Sequence, residues 1–264
     1  MFETTVESGT LSLLKQLYDL DIEGVSDEIS PDDGMFEHDQ AHYFSVGQSA
    51  LRCIKGAMLA TKRDEFRNIL DFGCGFGRVL RVLQAAFPGA ELTACDLSYE
   101  AIDFCSKVFG ATPVLSNEGI SQIQIGKKFD LIWCGTLLTN VDNSYFSGFL
   151  ELFHSLLDEN GVLIFTTYGP FVAHRLRTGS FTYGLEPSRV PQLIEAYDTE
   201  GFAYEDYPRE VLTRLGLKRY GISVSTPSWV CREVGRVPNL RLLTYTERAW
   251  DDHQDSVACV KRSW

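Results

Sequence analysis

The stretch ILDFGCGFGRVLRVL, residues 69–83, constrains this chain more than any other. A short apolar run ends in Asp71, glycines follow at 73, 75 and 77, and apolar residues at helical spacing come next. The pattern is that of a strand passing into a helix through a turn almost bare of side chains. Backbone there can approach a ligand closely, and the helix start offers it unpaired N–H groups.

The glycine spacing narrows the ligand. A dinucleotide site needs G-x-G-x-x-G, its third glycine letting helix and strand pack closely. Here the spacing is G-x-G-x-G, and Arg78 occupies the position of that third glycine. Asp71, ahead of the loop, repels a phosphate but suits an ammonium group. Eighteen residues beyond Arg78 a second strand-like run, ELTACD, ends in Asp96, an acid placed to take both hydroxyls of a ribose. The ligand so inferred carries a ribose and a cationic end but no phosphate.

With these residues in place the sequence resembles the class I S-adenosylmethionine-dependent methyltransferases. Asp71-Phe72-Gly73-Cys74-Gly75-Phe76-Gly77 matches their glycine motif and Asp96 their ribose acid. Phe129-Asp130-Leu131-Ile132-Trp133 and Gly161-Val162-Leu163-Ile164-Phe165 resemble their fourth and fifth strands. Over residues 69–167, four elements thus stand in the family's order and spacing. The resemblance implies an α/β fold with a doubly wound, mostly parallel seven-stranded sheet, and S-adenosylmethionine as cofactor.

Bulk properties exclude other classes. Net charge is −12 and the isoelectric point is near 4.9, the wrong balance for gripping a nucleic-acid backbone. MFETTVESGT has neither the basic start nor the apolar core of a signal peptide, and no apolar run reaches membrane-spanning length. Seven cysteines without a C-x-x-C pair read as reduced thiols rather than disulfides or zinc ligands. The expectation is a cytoplasmic protein with no metal site and no membrane insertion.

Along the chain, Leu11–Leu20 and residues 46–61 have helical spacing and precede the first core strand, so residues 1–65 read as a helical cap on a methyltransferase domain over 66–264. Val79, Val82, Leu83 and Ala86 make a buried stripe, Pro88-Gly89 stops that helix, and Ser98 caps another running to Phe109. TPVLS is a third strand. A helix capped by Asp142 or Asn143 runs to Asn160-Gly161. Alternation of strand and helix predicts a parallel sheet covered on both faces. After the fifth strand the alternation breaks: residues 168–225 are rich in glycine, proline and tyrosine, with helices expected near 191–197 and 209–217. A helix at 228–234 and a strand pair, 240–246 and 256–261 joined by ERAWDDHQD, complete the sheet with an antiparallel edge. Loops at the carboxyl ends of parallel strands surround the ligand crevice, so 168–225 reads as a substrate lid; a structural subdomain or a homodimer surface is the competing reading.

The resemblance implies roles residue by residue. Gly73, Cys74, Gly75 and Gly77 form the cofactor loop, with Asp71 toward the methionine ammonium, Asp96 on the ribose and Leu97 against the adenine. Asn117, after the third strand, faces the adenine amino group. Cys134 lies beneath the sulfonium through its backbone. Tyr43 closes over the methionine carboxylate and Arg78 adds charge, while a buried cap tyrosine remains the alternative. For a base, His253 in the turn Asp251-Asp252-His253-Gln254-Asp255 resembles a histidine-glutamine-aspartate motif of some bacterial methyltransferases, and His42 borders the cap; His38, His154 and His174 also compete. Many relatives have a histidine where Asn140 stands, which removes a base from that position. Neither the Asn/Asp-Pro-Pro-aromatic sequence of base-amine methylation nor a Pro-Cys pair occurs. The acceptor expected is a small molecule or glycan, methylated on oxygen; N- or C-methylation of a metabolite, or cofactor binding without turnover, stay open.

Overall fold

The computed structural model describes residues 22–263; the helix expected at Leu11–Leu20 lies outside them. The strands are β1 (Asn68–Phe72), β2 (Glu91–Asp96), β3 (Thr112–Leu115), β4 (Phe129–Cys134), β5 (Leu157–Thr167), β6 (Phe202–Asp206), β7 (Gly221–Ser225), β8 (Leu240–Trp250) and β9 (Gln254–Lys261). Seven of them form one sheet in the order β3-β2-β1-β4-β5-β9-β8, parallel from β3 to β5, with β9 antiparallel to both neighbours. This is the doubly wound, mostly parallel sheet the sequence implied. Its order reverses between β1 and β4, and at such a switch point a crevice opens outside the carboxyl ends of the strands.

The helices are α1 (Gln40–Thr61), α2 (Leu80–Ala86), α3 (Tyr99–Phe109), α4 (Asn143–Leu156), α5 (Pro170–Arg177), α6 (Val190–Glu200), α7 (Arg209–Leu215) and α8 (Pro227–Arg236). Alternation along the strands sorts them into layers, since successive side chains leave a strand on opposite faces. Ile69, Leu131, Trp133 and Val162 meet α1, α2 and α3 on one face. Leu70, Phe72, Ile132 and Leu163 meet α4 and α8 on the other. On that second face Trp229 stacks on Phe202 (centroids 4.2 Å, planes 22° apart) and meets Phe146 edge-on, tying β6 to the main core.

Helix α1 begins at Gln40 rather than at residue 46, because Asp39 Oδ1 accepts the His42 N–H at 3.0 Å and caps the helix there. Helix α4 keeps its Asp142 cap but ends at Leu156; Asn160-Gly161 lies within β5, where the register against β4 shifts, and is not a helix stop. There Asn160 adopts a φ of 63°, and a Cβ on Gly161 would come within 2.8 Å of the Phe129 carbonyl of the neighbouring strand. The final hairpin turns over Asp251–His253 instead of the longer ERAWDDHQD, since β8 bends through Arg248 (φ 55°) and continues to Trp250.

Residues 168–225 hold more regular structure than their sequence suggests. Besides α6 and α7 they contain α5 and the antiparallel pair β6–β7, gathered round a core of their own that includes Val172, Leu176, Leu193, Ile194, Ile222 and Val224. The pairing is non-local: fourteen residues and a helix separate the two strands, so no hairpin turn signals it.

One contact fixes how α1 lies over the glycine-loop side of the sheet. A Cβ on Gly47 would meet the Arg78 carbonyl and Val82 Cγ2, each at 2.7 Å. Gly47→Ala therefore forces α1 away from α2; a loss of about 1–3 kcal/mol is expected for such overpacking, read as a lower urea midpoint at unchanged slope.

Candidate functional site

The glycine loop is built by conformation first. Gly73, Gly75 and Gly77 have φ of 77°, 50° and 80°, the left-handed region that other L-residues adopt only at a cost. At Gly77 the need is doubled, because a Cβ would strike the Phe109 ring of α3. The N–H groups of Gly73 and Cys74 donate to the Cys95 carbonyl (2.7 and 3.2 Å), and Gly75 N–H donates to Asp96 Oδ2 at 2.8 Å. Regular helix starts at Leu80, so residues 75–79 are a turn, a little later than the sequence spacing implied.

Two acids stand at this loop and differ sharply. Asp96 is half-buried, and its oxygens accept the Gly75 and Ser98 N–H groups, which leaves carboxylate lone pairs for hydroxyl donors. Asp71 is buried at the end of β1; burial, reinforced by the charge of Asp96, pushes its carboxyl up to about 8. Its Oδ2 has no hydrogen-bond partner among the described residues. A buried, unpaired acid oxygen is costly unless something pairs with it. Above the loop, Arg78 lies between the Tyr43 and Trp250 rings, 5.9 Å from each centroid, and has no carboxylate partner within ion-pair distance among the described residues. Burial lowers its pKa. An unpaired acid and an unpaired cation beside one glycine loop suit the ammonium and carboxylate of an amino-acid end group, and Asp96 suits a ribose. Beyond Asp96, Leu97 and Leu115 are 47% and 56% exposed at the tips of β2 and β3, an apolar ledge on which a flat base can lie. The residues therefore fit S-adenosylmethionine.

Other expected site residues have different employment. The Tyr43 hydroxyl is buried and donates to Asp33 Oδ2 at 2.5 Å, while Arg81 Nη2 approaches it at 3.3 Å. Its phenol is pushed upward, mainly by burial. Tyr43 is thus a strut of the cap, and the hydroxyl expected over a carboxylate is committed elsewhere. Arg81, which no sequence signal singles out, is fully buried and donates to the Ser26 and Glu28 carbonyls, pinning that segment to α2. Asn117 is exposed and its Oδ1 accepts the Gly119 N–H at 2.9 Å, so the oxygen expected near an adenine closes a turn instead. Cys134 is fully buried at the end of β4; its thiol is raised by burial and then by the charge of Asp71.

His42 is no free base either. Its Nε2 meets Asp251 Oδ1 at 3.0 Å, joining the cap to the last hairpin. Trp250 Nε1 donates to the Val46 carbonyl at 3.0 Å, and Asp251 N–H to Ser49 Oγ at 3.0 Å, so three bonds fasten α1 to that turn. β9 pairs with β5 as Asp255 with Thr167, which sets the turn at the carboxyl edge of the parallel strands.

That turn delivers His253 to the side of the crevice away from Asp96. The imidazole stacks on Tyr183 (5.4 Å, 27°) and meets Tyr168 and Phe171 edge-on at 5.6 and 5.8 Å. Burial lowers its pKa, as do the Arg175 and Arg248 charges, against the opposing effect of Asp251 and Asp252, which favours the neutral ring. Next to it, Gln254 Oε1 accepts from Thr166 Oγ1 at 2.7 Å while its amide donates to Thr136 Oγ1 at 3.2 Å. Thr136 follows the end of β4 with a φ of 67°, a strained state for a β-branched residue that these bonds and the Thr136 N–H to Thr166 Oγ1 bond (2.8 Å) sustain. His38 and His174 are exposed, and His154 lies in α4 with its Nε2 unpartnered beside Lys261.

Four tyrosines from residues 168–225 converge above the crevice. Burial raises the Tyr168 phenol, and the nearby Tyr207, Tyr183 and Tyr220 phenols raise it further. Tyr220 feels Tyr207 and Asp96 in the same sense, which puts it toward the ribose acid. Tyr207 Oη lies 3.5 Å from Asn140 Oδ1, and Asn140 is buried and bonded to the Thr136 carbonyl at 2.6 Å. At physiological pH these phenols remain protonated donors. The signal for this cluster in the sequence is density: six of the chain's eleven tyrosines lie in 168–225.

A sequence model of the methyltransferase domain matches residues 70–163, from β1 into β5. The chain is 28% identical over 187 residues to a malonyl-[acyl-carrier protein] O-methyltransferase of Anoxybacillus flavithermus, covering 63% of this chain and 70% of that protein. It is also 28% identical over 120 residues to the protein of the same name from Halalkalibacterium halodurans, covering 43% of this chain and 44% of that one, less than half its length. Among solved structures, an S-adenosylmethionine-dependent methyltransferase from Clostridium acetobutylicum superposes with a TM-score of 0.55 at 17% identity, over 84% of this chain and 92% of that chain. That likeness is one of fold.

Two outcomes follow from the acids. Asp96→Ala removes the expected ribose acceptor and a loop contact, so affinity for S-adenosylhomocysteine should fall at least tenfold by calorimetry. Asp71 carries a raised carboxyl, so its contribution to stability is present below about pH 4 and is lost as pH rises toward about 8. Relative to Asp71→Asn, the unliganded parent should lose urea stability between pH 5 and 8.

Proposed function

Because this chain belongs to the class I S-adenosylmethionine-dependent methyltransferases, we propose that it methylates an oxygen of a small-molecule or glycan acceptor, with His253 as the proton acceptor. The observation that carries this reading is the His253 imidazole held in an aromatic surround at the carboxyl edge of the sheet, where burial favours its neutral form. An amine can be free to attack without help, whereas a hydroxyl keeps its proton and needs a base, so a neutral imidazole suits an oxygen nucleophile. The names of the two relatives, both O-methyltransferases, support the same atom.

S-adenosylmethionine supplies, when bound, a methyl group already activated on a sulfonium. The protein's part is then alignment, which can supply roughly 7–11 kcal/mol of the barrier. In this reading Asp71 and Arg78 hold the amino-acid end and Asp96 the ribose, with Leu97 under the base. Within the expected cap, the described residues 22–65 cover the site, and 168–225 act as the acceptor lid, whose tyrosine hydroxyls Tyr168, Tyr207 and Tyr220 orient the acceptor by donating hydrogen bonds. His253 takes the hydroxyl proton on a ring nitrogen as the oxygen–carbon bond forms and the carbon–sulfur bond breaks. Gln254 fixes the depth of the histidine through Thr136 and Thr166.

His253→Gln should lower turnover of a hydroxyl acceptor by about 10²–10⁴-fold, the usual worth of a general base, with cofactor affinity kept. For the parent, turnover should rise with pH through a pKa below the usual histidine value and then level. Full activity of His253→Gln would overturn the base and indicate an acceptor oxygen, such as a carboxylate, that arrives without a proton.

A further inference from the structure

Helix α5 places a cation beside the aromatic surround of His253. Arg175 lies over Phe181 at 4.9 Å, Tyr183 at 5.7 Å and Phe171 at 5.8 Å from the ring centroids, and its positive charge reaches His253. Arg177 two residues on is paired with Asp198 and Arg248 with Asp252, as are Arg189 with Glu205 and Arg219 with Asp142 elsewhere in the lid. Among the described residues, Arg175 has no carboxylate partner within ion-pair distance.

The local chain is shaped around this group. The Ser180 N–H donates to the Arg175 carbonyl at 3.1 Å, and the Thr178 and Ser180 hydroxyls donate to the same oxygen at 3.2 Å, folding the segment back so that Phe181 and Tyr183 stand beside the guanidinium. Tyr183 holds a φ of 55° there, a costly state for an aromatic residue. Rings on several sides restrict the guanidinium's hydration, and a half-buried cation without an anion binds one well. Tyr183 is shared: Arg175 lies near one part of the ring and His253 stacks upon it. One small molecule can therefore touch both.

We propose that Arg175 is the anchor for a carboxylate of the acceptor, one that is not itself methylated, so that the acceptor is a hydroxy acid whose apolar or aromatic stem lies among Phe171, Phe181 and Tyr183. The proposal rests on the oxygen-methylation reading for the hydroxyl but not for the carboxylate. Arg175 sets specificity; His253 takes the proton.

The test uses the full-length protein saturated with S-adenosylhomocysteine, with 4-hydroxybenzoate as probe and its neutral isostere 4-hydroxybenzamide as control, followed by NMR titration. The acid should bind at least tenfold more tightly than the amide. Arg175→Gln should abolish that preference, and Arg175→Lys should retain part of it. In the parent, the His253 pKa should rise when the acid binds, since the acid screens the Arg175 charge, and should stay put with the amide. Equal binding of acid and amide, no binding of either at millimolar concentration, or an unchanged preference in Arg175→Gln would each overturn the anchor. Fold is checked by cofactor affinity, which Arg175→Gln should leave unaltered. If the acid preference stands while His253→Gln remains fully active, the anchor survives and the oxygen-base reading fails.

Discussion

The hydrogen bond from Gly75 N–H to Asp96 Oδ2 joins the glycine loop to the tip of β2, and the carboxyl edge of the sheet is organised around it. It folds the three left-handed glycines over the end of the adjacent strand and keeps Asp96 turned toward the crevice. It also places a negative charge near Asp71, which burial already disfavours as an ion. The pair of acids is consequently asymmetric: one is solvated, bonded and suited to hydroxyls, and the other is buried, half-satisfied and suited to a cation. That asymmetry is what separates this loop from a phosphate cradle.

The second organising feature is the fastening of α1 to the last hairpin. Val46, Ser49 and His42 meet Trp250 and Asp251 across some two hundred residues of sequence. Trp250 also packs edge-on against Trp133 at 5.5 Å and limits Gly135, where a Cβ would come within 2.7 Å of the indole. The cap, the end of β4 and the hairpin turn therefore form one packed unit. His253 inherits its position from this unit, while its aromatic surround comes from residues 168–225. The methyl-donor side and the acceptor side are thus built by different parts of the chain and meet at the hairpin.

The core of the fold was legible because its signals are local. Gly73, Gly75 and Gly77 are required by φ, and Ser98 and Asp142 cap their helices as read. Alternation of strand and helix gave the sheet. What escaped has non-local causes. β6 and β7 pair across an intervening helix, Asn160-Gly161 looks like a helix stop but bends a strand, and Tyr43 and His42 carry aromatic and titratable groups that tertiary contacts engage elsewhere. Nothing in the sequence singles out Arg81, which is fully buried and donates to the Ser26 and Glu28 carbonyls. The orphan Oδ2 of Asp71 and the unpaired Arg175 are facts of surroundings, and no spacing in the sequence announces them.

In the proposed reading, Asp71, its carboxyl raised by burial to about 8, stays largely protonated at pH 7 until the ammonium end of S-adenosylmethionine arrives. Binding should then expel a proton, because the cation lowers the Asp71 pKa from about 8. Calorimetric titration with S-adenosylhomocysteine, which keeps the same ammonium group, at pH 7 in buffers of different ionisation enthalpy counts that proton directly. One site per chain is expected, with release of a large fraction of one proton that is abolished in Asp71→Asn. Binding with no proton release, or release unchanged in Asp71→Asn, would rule out Asp71 as the partner of the ammonium.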